Sequence, residues 1–288
     1  MIQPLFEHRL KLAGYETRVL ELEGDGIPIV MFHGYADSAD TRRQVLALLA
    51  RQGRRAIAVD VPGFGTAERP RPDPILPQLD EFASAAVRHL ADGSRPQVVA
   101  VGNSLGGCVC LRLAERQPNR IAGIVGVAPA GLEMTGLLYL VQRDPVIRSL
   151  VALPTPVPGA VLRAAVARLY TQLAFATPRA VDPNVVSAFT WHHRKRARGA
   201  HYLDTAHRLI PELREPFALE RIAAPVLLVW GDRDRLVFHH GADRVLQAVA
   251  DARLEVLEGI GHCPQVEAPA RFTELLLEFS SEREAAAA

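Results

Sequence analysis

Short, almost uniformly apolar runs alternate along most of the chain with stretches whose apolar residues recur every three or four positions. Runs such as IPIVMF, RRAIAV, PQVVAV, IAGIVGV and APVLLVW are typical of strands that are buried on both faces. The segments between them, such as TRRQVLALLARQG and LDEFASAAVRHLADG, have helical spacing and end at glycine. This alternation predicts an α/β fold with a mostly parallel central sheet and helices on both faces.

The ends of the chain are predicted from local signals. Near the start, Gly24, Asp25 and Gly26 separate the apolar runs TRVLELE and IPIVMF. Asp-Gly between two such runs favours a tight turn, so these runs are predicted to form a β-hairpin. The closing segment EREAAAA is predicted to be a frayed tail.

The alternation stops between Leu132 and Pro216, where only helical pieces are predicted. It resumes with strands in APVLLVWGDRD and RLEVLEGIGH, and it ends with the helix PARFTELLLEFSS. We therefore expect a core made of residues 1–131 and 217–288, interrupted by a helical cap over residues 132–216.

Composition narrows the class of protein. The chain has 288 residues, 49% of them hydrophobic, which suits a globular protein with a large core. Lys and Arg number 33 against 32 Asp and Glu, so nucleic acid is not an expected partner. The longest apolar tract is interrupted by Pro129 and Glu133, so no membrane is expected either. The start lacks the features of a signal peptide and the 3 cysteines form no disulfide framework, which predicts a cytoplasmic protein.

Ser104 stands in GNSLG, directly after the apolar run PQVVAV and directly before a predicted helix. This matches G-x-S-x-G, in which Gly102 and Gly106 let the chain turn sharply and present the serine hydroxyl in a strained, exposed position. A serine is a poor nucleophile without a base, and the base needs an acid that orients it. Ser104 is therefore a candidate nucleophile that requires two partners.

Candidates for both partners follow the later strands. WGDRD supplies Asp232 and Asp234 after one strand, and GIGH supplies His262 after the next. The carboxyl ends of parallel strands meet at one edge of the sheet, where ligands of open α/β sheets bind. The hypothesis is that one of the two aspartates and His262 activate Ser104.

The chain resembles the α/β-hydrolase superfamily over nearly its whole length. The matching segments, in family order and spacing, are MFHGYADS, DVPGFG, GNSLGG, WGDRD and GHCPQVEAP. The resemblance implies that Ser104 is the nucleophile, Asp234 the acid and His262 the base. It also implies an oxyanion hole made by the backbone N–H groups of Tyr35 and Leu105.

Other residues that could carry chemistry are expected to be structural. They are His33, Asp232, Cys108, Cys110 and the histidine pairs at 192–193 and 239–240. His33 should order its loop through hydrogen bonds, Asp232 should cap its own loop, and the cysteines should pack in the core. The histidine pairs lack metal-ligand spacing, so neither a metal nor another cofactor is expected.

The helical cap falls where members of this superfamily carry a lid over the catalytic serine. Phe189 and Trp191 in this cap could line a largely apolar pocket. The activity predicted is hydrolysis of a small or medium hydrophobic carboxylic ester through an acyl-Ser104 intermediate. The expected partners are a small hydrophobic substrate and water.

Three alternatives stay open. The segments GNSLGG and GHCPQVE are compatible with carbon–carbon bond hydrolases of aromatic meta-cleavage products. Those enzymes usually carry an H-G-G-G-P-G loop where this chain has HGYADS, and often Trp where it has Cys263. Cofactor-free perhydrolases share the same triad, and a non-enzymatic receptor could keep it to sense a small molecule. Haloalkane dehalogenases and epoxide hydrolases are excluded, because they need an aspartate where Ser104 stands.

Overall fold

A computed structural model of the chain describes residues 3–91, 93, 96–133, 168, 171–181 and 196–287. Most of the candidate residues lie in these ranges. Phe189, Trp191 and the histidine pair at 192–193 lie outside the described residues.

The centre of the fold is one sheet of 8 strands. Their bounds are Leu5–Leu12 (β1), Tyr15–Leu22 (β2), Asp25–Phe32 (β3), Arg54–Val59 (β4), Val98–Asn103 (β5), Ile121–Val127 (β6), Val226–Gly231 (β7) and Ala252–Leu257 (β8). Across the sheet the order is β1-β2-β4-β3-β5-β6-β7-β8. β2 runs antiparallel to both of its neighbours, and every other neighbouring pair is parallel. The predicted mostly parallel sheet is confirmed.

Helices cover both faces of this sheet. Those with described bounds are Arg43–Arg51 (α1), Ile75–Leu90 (α2), Leu105–Arg116 (α3), Arg196–Glu212 (α4), Ala242–Ala248 (α5), Pro264–Glu267 (α6) and Pro269–Ala287 (α7). α2, α3 and α5 bury their apolar residues in one core cluster, and α1 and α7 bury theirs in a second cluster on the opposite face.

The two core clusters explain why the strands are unbroken apolar runs. In β5, Val98 and Ala100 join the cluster beneath α2 and α3, whereas Val99 and Val101 join the cluster beneath α1 and α7. All four are buried, because successive side chains of a strand point to opposite faces of the sheet. A strand covered on both faces must therefore be apolar at every position.

The predicted hairpin between TRVLELE and IPIVMF is wrong. β2 pairs with β1 and β4, and β3 lies on the far side of β4. The hairpin of this region is β1–β2, whose turn holds Ala13 and Gly14 at φ values of 50° and 87°. The last part of β3 is buried on both faces, so a central parallel position stabilises it more than a local turn at Gly24–Gly26 could.

The predicted frayed tail is also wrong, because α7 continues to Ala287. Glu284 anchors this end of the helix to the core. Its carboxylate accepts a hydrogen bond from Ile27 N–H at 2.6 Å and pairs with Arg54 at 2.5 Å. These tertiary contacts add to the helix preference of the alanines, which alone would leave a short terminal segment marginal.

The described part of the predicted cap is attached firmly to the core. It includes α4, which packs against α2. Glu212 in α4 accepts hydrogen bonds from the N–H groups of Ile75 and Leu76, at 2.8 Å each, and so caps the first turn of α2. The described residues between 132 and 216 contain no strand. Across the described ranges, no helix has the length and apolar character needed to span a membrane.

We expect Gly106→Ala to destabilise the fold. A Cβ at Gly106 would lie 2.3 Å from the carbonyl oxygen of Phe32, so α3 would have to move away from β3. Overpacking of this kind costs roughly 1–3 kcal/mol, which urea unfolding can measure. Gly93→Ala is the control, since a Cβ there meets nothing within 4 Å. Equal stability of the two variants would contradict the close packing of α3.

Candidate active site

Ser104 lies at a sharp turn between β5, which ends at Asn103, and α3, which begins at Leu105. Its φ of 54° is in the left-handed region that non-glycine residues rarely adopt. A Cβ at Gly102 would come within 2.1 Å of the carbonyl oxygen of Gly106. Gly102 and Gly106 therefore let the end of β5 and the start of α3 approach each other more closely than larger residues would allow.

Asp234 and His262 meet at the carboxyl edge of the sheet, in the loops after β7 and β8. Asp234 Oδ2 lies 2.7 Å from His262 Nδ1, and the two side chains are only 1% and 4% exposed. The other carboxylate oxygen accepts hydrogen bonds from Leu236 N–H at 2.8 Å and Val237 N–H at 3.1 Å. A carboxylate at Nδ1 favours the tautomer in which Nδ1 carries the proton and Nε2 is basic.

Asp232, the other candidate acid, holds the turn that precedes His262. Its Oδ1 accepts hydrogen bonds from Gly259 N–H at 2.6 Å and from Ile260 N–H at 3.3 Å. This is the loop-capping role that the sequence predicted for it. Of the two aspartates, Asp234 is the one that contacts the histidine.

Asn103, which the sequence analysis missed, ties the turn of Ser104 to the loop of His262. Its Nδ2 donates to the carbonyl oxygen of His262 at 3.0 Å. A Cβ at Gly34 would lie 3.3 Å from Asn103 Oδ1 and from the Ser104 Cβ, so the loop after β3 reaches the same point. The sequence did contain a signal for this role, because an amide side chain at the end of a buried strand must find a buried hydrogen-bond partner.

His33 orders the loop that follows β3. Val61 N–H donates to His33 Nε2 at 2.8 Å, so the ring proton is on Nδ1. Nδ1 in turn lies 2.8 Å from the carbonyl oxygen of Gly34, to which it donates. Both ring nitrogens thus hold the loops after β3 and β4, which is the structural role predicted for this residue.

The two predicted oxyanion donors belong to different segments of the chain. Leu105 is the first residue of α3, and Tyr35 follows Gly34 in the loop after β3. The hydroxyl of Tyr35 donates to the carbonyl oxygen of Tyr202 in α4, and its ring packs edge-on against Phe64 at 5.1 Å. Burial raises the pKa of Tyr35 above its ordinary range. The side chain of Tyr35 therefore links the loop after β3 to α4.

The remaining described candidates are two buried cysteines and one pair of stacked histidines. Cys108 and Cys110 are fully buried in the core beneath α2 and α3, and burial raises the pKa of both thiols. They are packing residues, as predicted. His239 and His240 stack with their ring centroids 4.3 Å apart. The described residues contain no group of three or more His, Cys, Asp or Glu side chains that could hold a metal ion.

Another buried carboxyl group, that of Asp37, lies in the loop after β3. It accepts hydrogen bonds from Ser38 N–H at 2.6 Å and the Thr41 hydroxyl at 3.0 Å, and it lies 4.0 Å from the guanidinium of Arg42. Burial raises the pKa of Asp37 to about 7, and Asp60 adds to the rise, while Arg42 and the two hydrogen bonds oppose it. This loop therefore contains an acid that changes its charge near neutral pH.

The sheet and the site together define a class of protein. A strained serine after β5, followed along the chain by an aspartate after β7 and a histidine after β8, is the arrangement of an α/β-hydrolase. A family model described as the alpha/beta hydrolase fold matches residues 27–269. The chain belongs to the α/β-hydrolase family, as its sequence motifs implied.

Individual relatives align over almost the whole chain. The 2-hydroxy-6-oxo-6-(2'-aminophenyl)hexa-2,4-dienoic acid hydrolase of Metapseudomonas resinovorans is 26% identical over 288 residues, which cover 96% of this chain and 91% of the relative. The 2-hydroxymuconate semialdehyde hydrolase of Pseudomonas sp. (strain CF600) is 29% identical over 290 residues, covering 96% and 94%. The crystal structure of a membrane phospholipase A superposes with a TM-score of 0.78 at 20% identity, over 97% of this chain and 86% of the other, and shows the shared fold.

We expect the free energy of unfolding of the Asp37→Asn variant to increase relative to that of the parent protein as the pH rises. The folded state raises the pKa of Asp37 from 3.8 to about 7, so ionisation in this window favours the unfolded chain and stability is lost. Asparagine does not titrate, and its oxygen can still accept from Ser38. In urea unfolding, the free energy of the variant relative to the parent should therefore be higher at about pH 8 than at about pH 5.

Asp40→Asn is the control for this pH dependence. Burial acts against the ionised form of Asp40, but hydrogen bonds from Arg18 and Arg43 hold its pKa below the ordinary value. Its carboxylate is therefore ionised in the folded and unfolded chains throughout the window, and its difference from the parent should not vary with pH. An equally flat result for Asp37→Asn would contradict the raised pKa.

Proposed function

We propose that this protein is a serine hydrolase that cleaves a small or medium hydrophobic carboxylic ester through an acyl-Ser104 intermediate. One observation carries the proposal: Asp234 lies 2.7 Å from His262, at the sheet edge where Ser104 occupies its strained turn. This geometry supports a triad in which Ser104 is the nucleophile, His262 the base and Asp234 the acid that orients the base.

The first half-reaction transfers the acyl group to the enzyme. Ser104 Oγ attacks the carbonyl carbon of the ester while His262 Nε2 accepts the hydroxyl proton. The carbonyl oxygen gains a negative charge, which the backbone N–H groups of Tyr35 and Leu105 stabilise. The bond to the alcohol oxygen then breaks, and His262 gives its proton to the leaving alcohol.

The second half-reaction releases the acid. Water attacks the acyl carbon as His262 removes its proton, and the Ser104 oxygen leaves with that proton. Asp234 stabilises the positive charge that His262 carries in both half-reactions, and its hydrogen bonds from Leu236 and Val237 keep it oriented. Side chains, backbone N–H groups and water are sufficient for every step.

Two residues beside the site favour an ester over a bulky ring-cleavage product. Tyr35 stands in the loop where ring-cleavage hydrolases carry small glycines, and its ring packs against Phe64. Cys263 stands where those enzymes often carry Trp, and it is buried against Ala174 and Phe175. An ester needs less from these positions, because an apolar acyl pocket, two N–H donors and a path for water are enough.

Carbon–carbon bond hydrolysis of ring-cleavage products is the second candidate function. The observation in its favour is that a dienoic acid hydrolase and a semialdehyde hydrolase each align with 96% of this chain. The same three side chains would serve that reaction, with a stabilised carbanion leaving in place of an alcohol oxygen. The two candidates therefore differ in the substrate that fits, and substrate comparison separates them.

We expect the protein to turn over p-nitrophenyl esters with short to medium acyl chains and to turn over a ring-cleavage dienoate little or not at all. Release of p-nitrophenolate and loss of the dienoate absorbance measure the two rates. A kcat/KM for the dienoate about a hundredfold above that for every ester, roughly 2.7 kcal/mol of transition-state preference, would establish the second function instead.

Ser104→Ala is the variant that tests the mechanism common to both candidates. It should abolish turnover and labelling by a fluorophosphonate probe, since losing a triad serine costs on the order of 10⁴-fold or more in rate. Ser280→Ala is the matched control, because this buried hydroxyl donates to the carbonyl oxygen of Leu276 in the same helix, at 2.7 Å. Near-normal turnover by Ser104→Ala would overturn the proposed function.

We expect Asp234→Asn to lower kcat severely, on the order of 10⁴-fold, because an amide that donates to Nδ1 favours the wrong tautomer of His262. Asp232→Asn should be mild, since its amide oxygen can still accept from Gly259 and Ile260. Steady-state kinetics on the preferred ester measures both variants. The opposite ranking would assign the acid to Asp232.

A further inference from the structure

A segment in the middle of the predicted cap packs directly on the loop of His262. It comprises residues 171–181, in which a cap helix ends at Ala174, and we call it the cap-end segment. His262 N–H donates to the carbonyl oxygen of Ala174 at 2.8 Å. A Cβ at Gly261 would lie 2.7 Å from that oxygen and 2.7 Å from the nitrogen of Ala176, so the two backbones are in contact. A displacement of the cap-end segment must therefore displace this loop.

Glu267 joins the same two backbones through one carboxylate. Its Oε1 accepts a hydrogen bond from Gly261 N–H at 2.8 Å, and its Oε2 accepts one from Ala176 N–H at 2.8 Å. Each oxygen thus serves a different segment of the chain. Hydrogen bonds from N–H groups to an ionised carboxylate are stronger than those between neutral groups. The acyl transfer proposed above makes no use of this side chain.

The helical turn α6 fixes Glu267 relative to His262. The N–H of Glu267 donates to the carbonyl oxygen of Cys263 at 3.0 Å, which closes the turn. The side chain of Cys263 is fully buried against Ala174 and Phe175 of the cap-end segment. Apolar packing and the carboxylate therefore hold the loop of His262 against the cap-end segment from two sides.

We propose that Glu267 is a positioning residue that couples the cap-end segment to His262. The proposal rests on the role of His262 as the base. By fixing Gly261, the residue before His262, the carboxylate sets where the imidazole lies between Asp234 and the serine. Misplacing a reacting group by about 1 Å can cost on the order of a hundredfold in rate.

A second carboxylate in a similar environment provides a matched control. Glu115 in α3 is also half-buried, and its Oε1 accepts a hydrogen bond from Ala218 N–H at 3.0 Å. Burial raises the pKa of both Glu115 and Glu267, and backbone hydrogen bonds oppose the rise in both. The two side chains differ in that Glu267 adjoins the loop of His262.

We expect Glu267→Gln to lower kcat for p-nitrophenyl butyrate about 10- to 100-fold and to leave KM nearly unchanged. Glutamine keeps the size of the side chain but turns an NH₂ group toward the N–H donors of one segment, which releases that segment. Glu115→Gln should leave both constants unchanged. Glu267→Asp keeps the carboxylate but is too short to reach both segments, so it should give the same fall in kcat. It replaces the glutamine variant in the test if that variant does not fold.

A double-mutant cycle with His262→Ala separates positioning from a general loss of structure. If Glu267 acts through His262, adding Glu267→Gln to His262→Ala should not lower the residual rate further. An equal fractional loss in both backgrounds would overturn the proposal. So would a kcat for Glu267→Gln and Glu267→Asp that equals the kcat of Glu115→Gln.

Failure of this inference can be told apart from failure of the proposed function. If Ser104→Ala and His262→Ala keep the parent rate on the ester and on the dienoate, the triad itself is wrong and both proposals fall. If those two variants are inactive while Glu267→Gln matches its control, the positioning role alone falls. If the protein prefers the dienoate to the p-nitrophenyl esters, the double-mutant cycle of Glu267→Gln and His262→Ala is measured with the dienoate.

Discussion

The close backbone contact between α3 and the central strands is the constraint on which the rest of the site depends. It requires glycine at 106, where a Cβ would meet the carbonyl oxygen of Phe32 at 2.3 Å, and glycine at 102, where it would meet α3 itself. Between them, Ser104 is held at a φ of 54°. Strain of this kind costs on the order of 1–3 kcal/mol. It persists because the buried strand before the turn and the helix after it leave the serine no other conformation.

Around this turn, carboxylates accept hydrogen bonds from the N–H groups of the loops and help to hold the loops in place. Asp60, at the end of β4, accepts hydrogen bonds from the N–H groups of Ala39 and Thr66 at 2.8 Å each and pairs with Arg18. The other loops at this edge have their own acids, which are Asp37, Asp232, Asp234 and Glu267. Loop N–H groups have no sheet partners, and one carboxylate can satisfy two of them. These acids therefore satisfy loop N–H groups at the edge of the sheet where the site lies.

The described parts of the predicted cap contact three loops of the core through different residues. Tyr202 in α4 accepts from Tyr35 in the loop after β3, and the His201 ring lies 3.0 Å from the carbonyl oxygen of Gly63 in the loop after β4. The cap-end segment contacts the loop of His262. These contacts join the predicted cap to loops at the carboxyl edge of the sheet.

The local sequence pattern was sufficient to predict the parallel sheet and the turn at Ser104. A strand buried on both faces must be apolar at every position, and a sharp turn around a serine requires glycines beside it, so both features are visible in the sequence. It also narrowed the candidate acid of the triad to two aspartates after one strand. Tertiary structure alone decided the rest. Strand partners are chosen by the whole sheet, which is why β2 and β3 do not pair, and a terminal helix depends on distant contacts such as that of Glu284 with Arg54. The contacts of Asp234, Asn103 and Glu267 join segments far apart in the chain, and no local pattern encodes their distances.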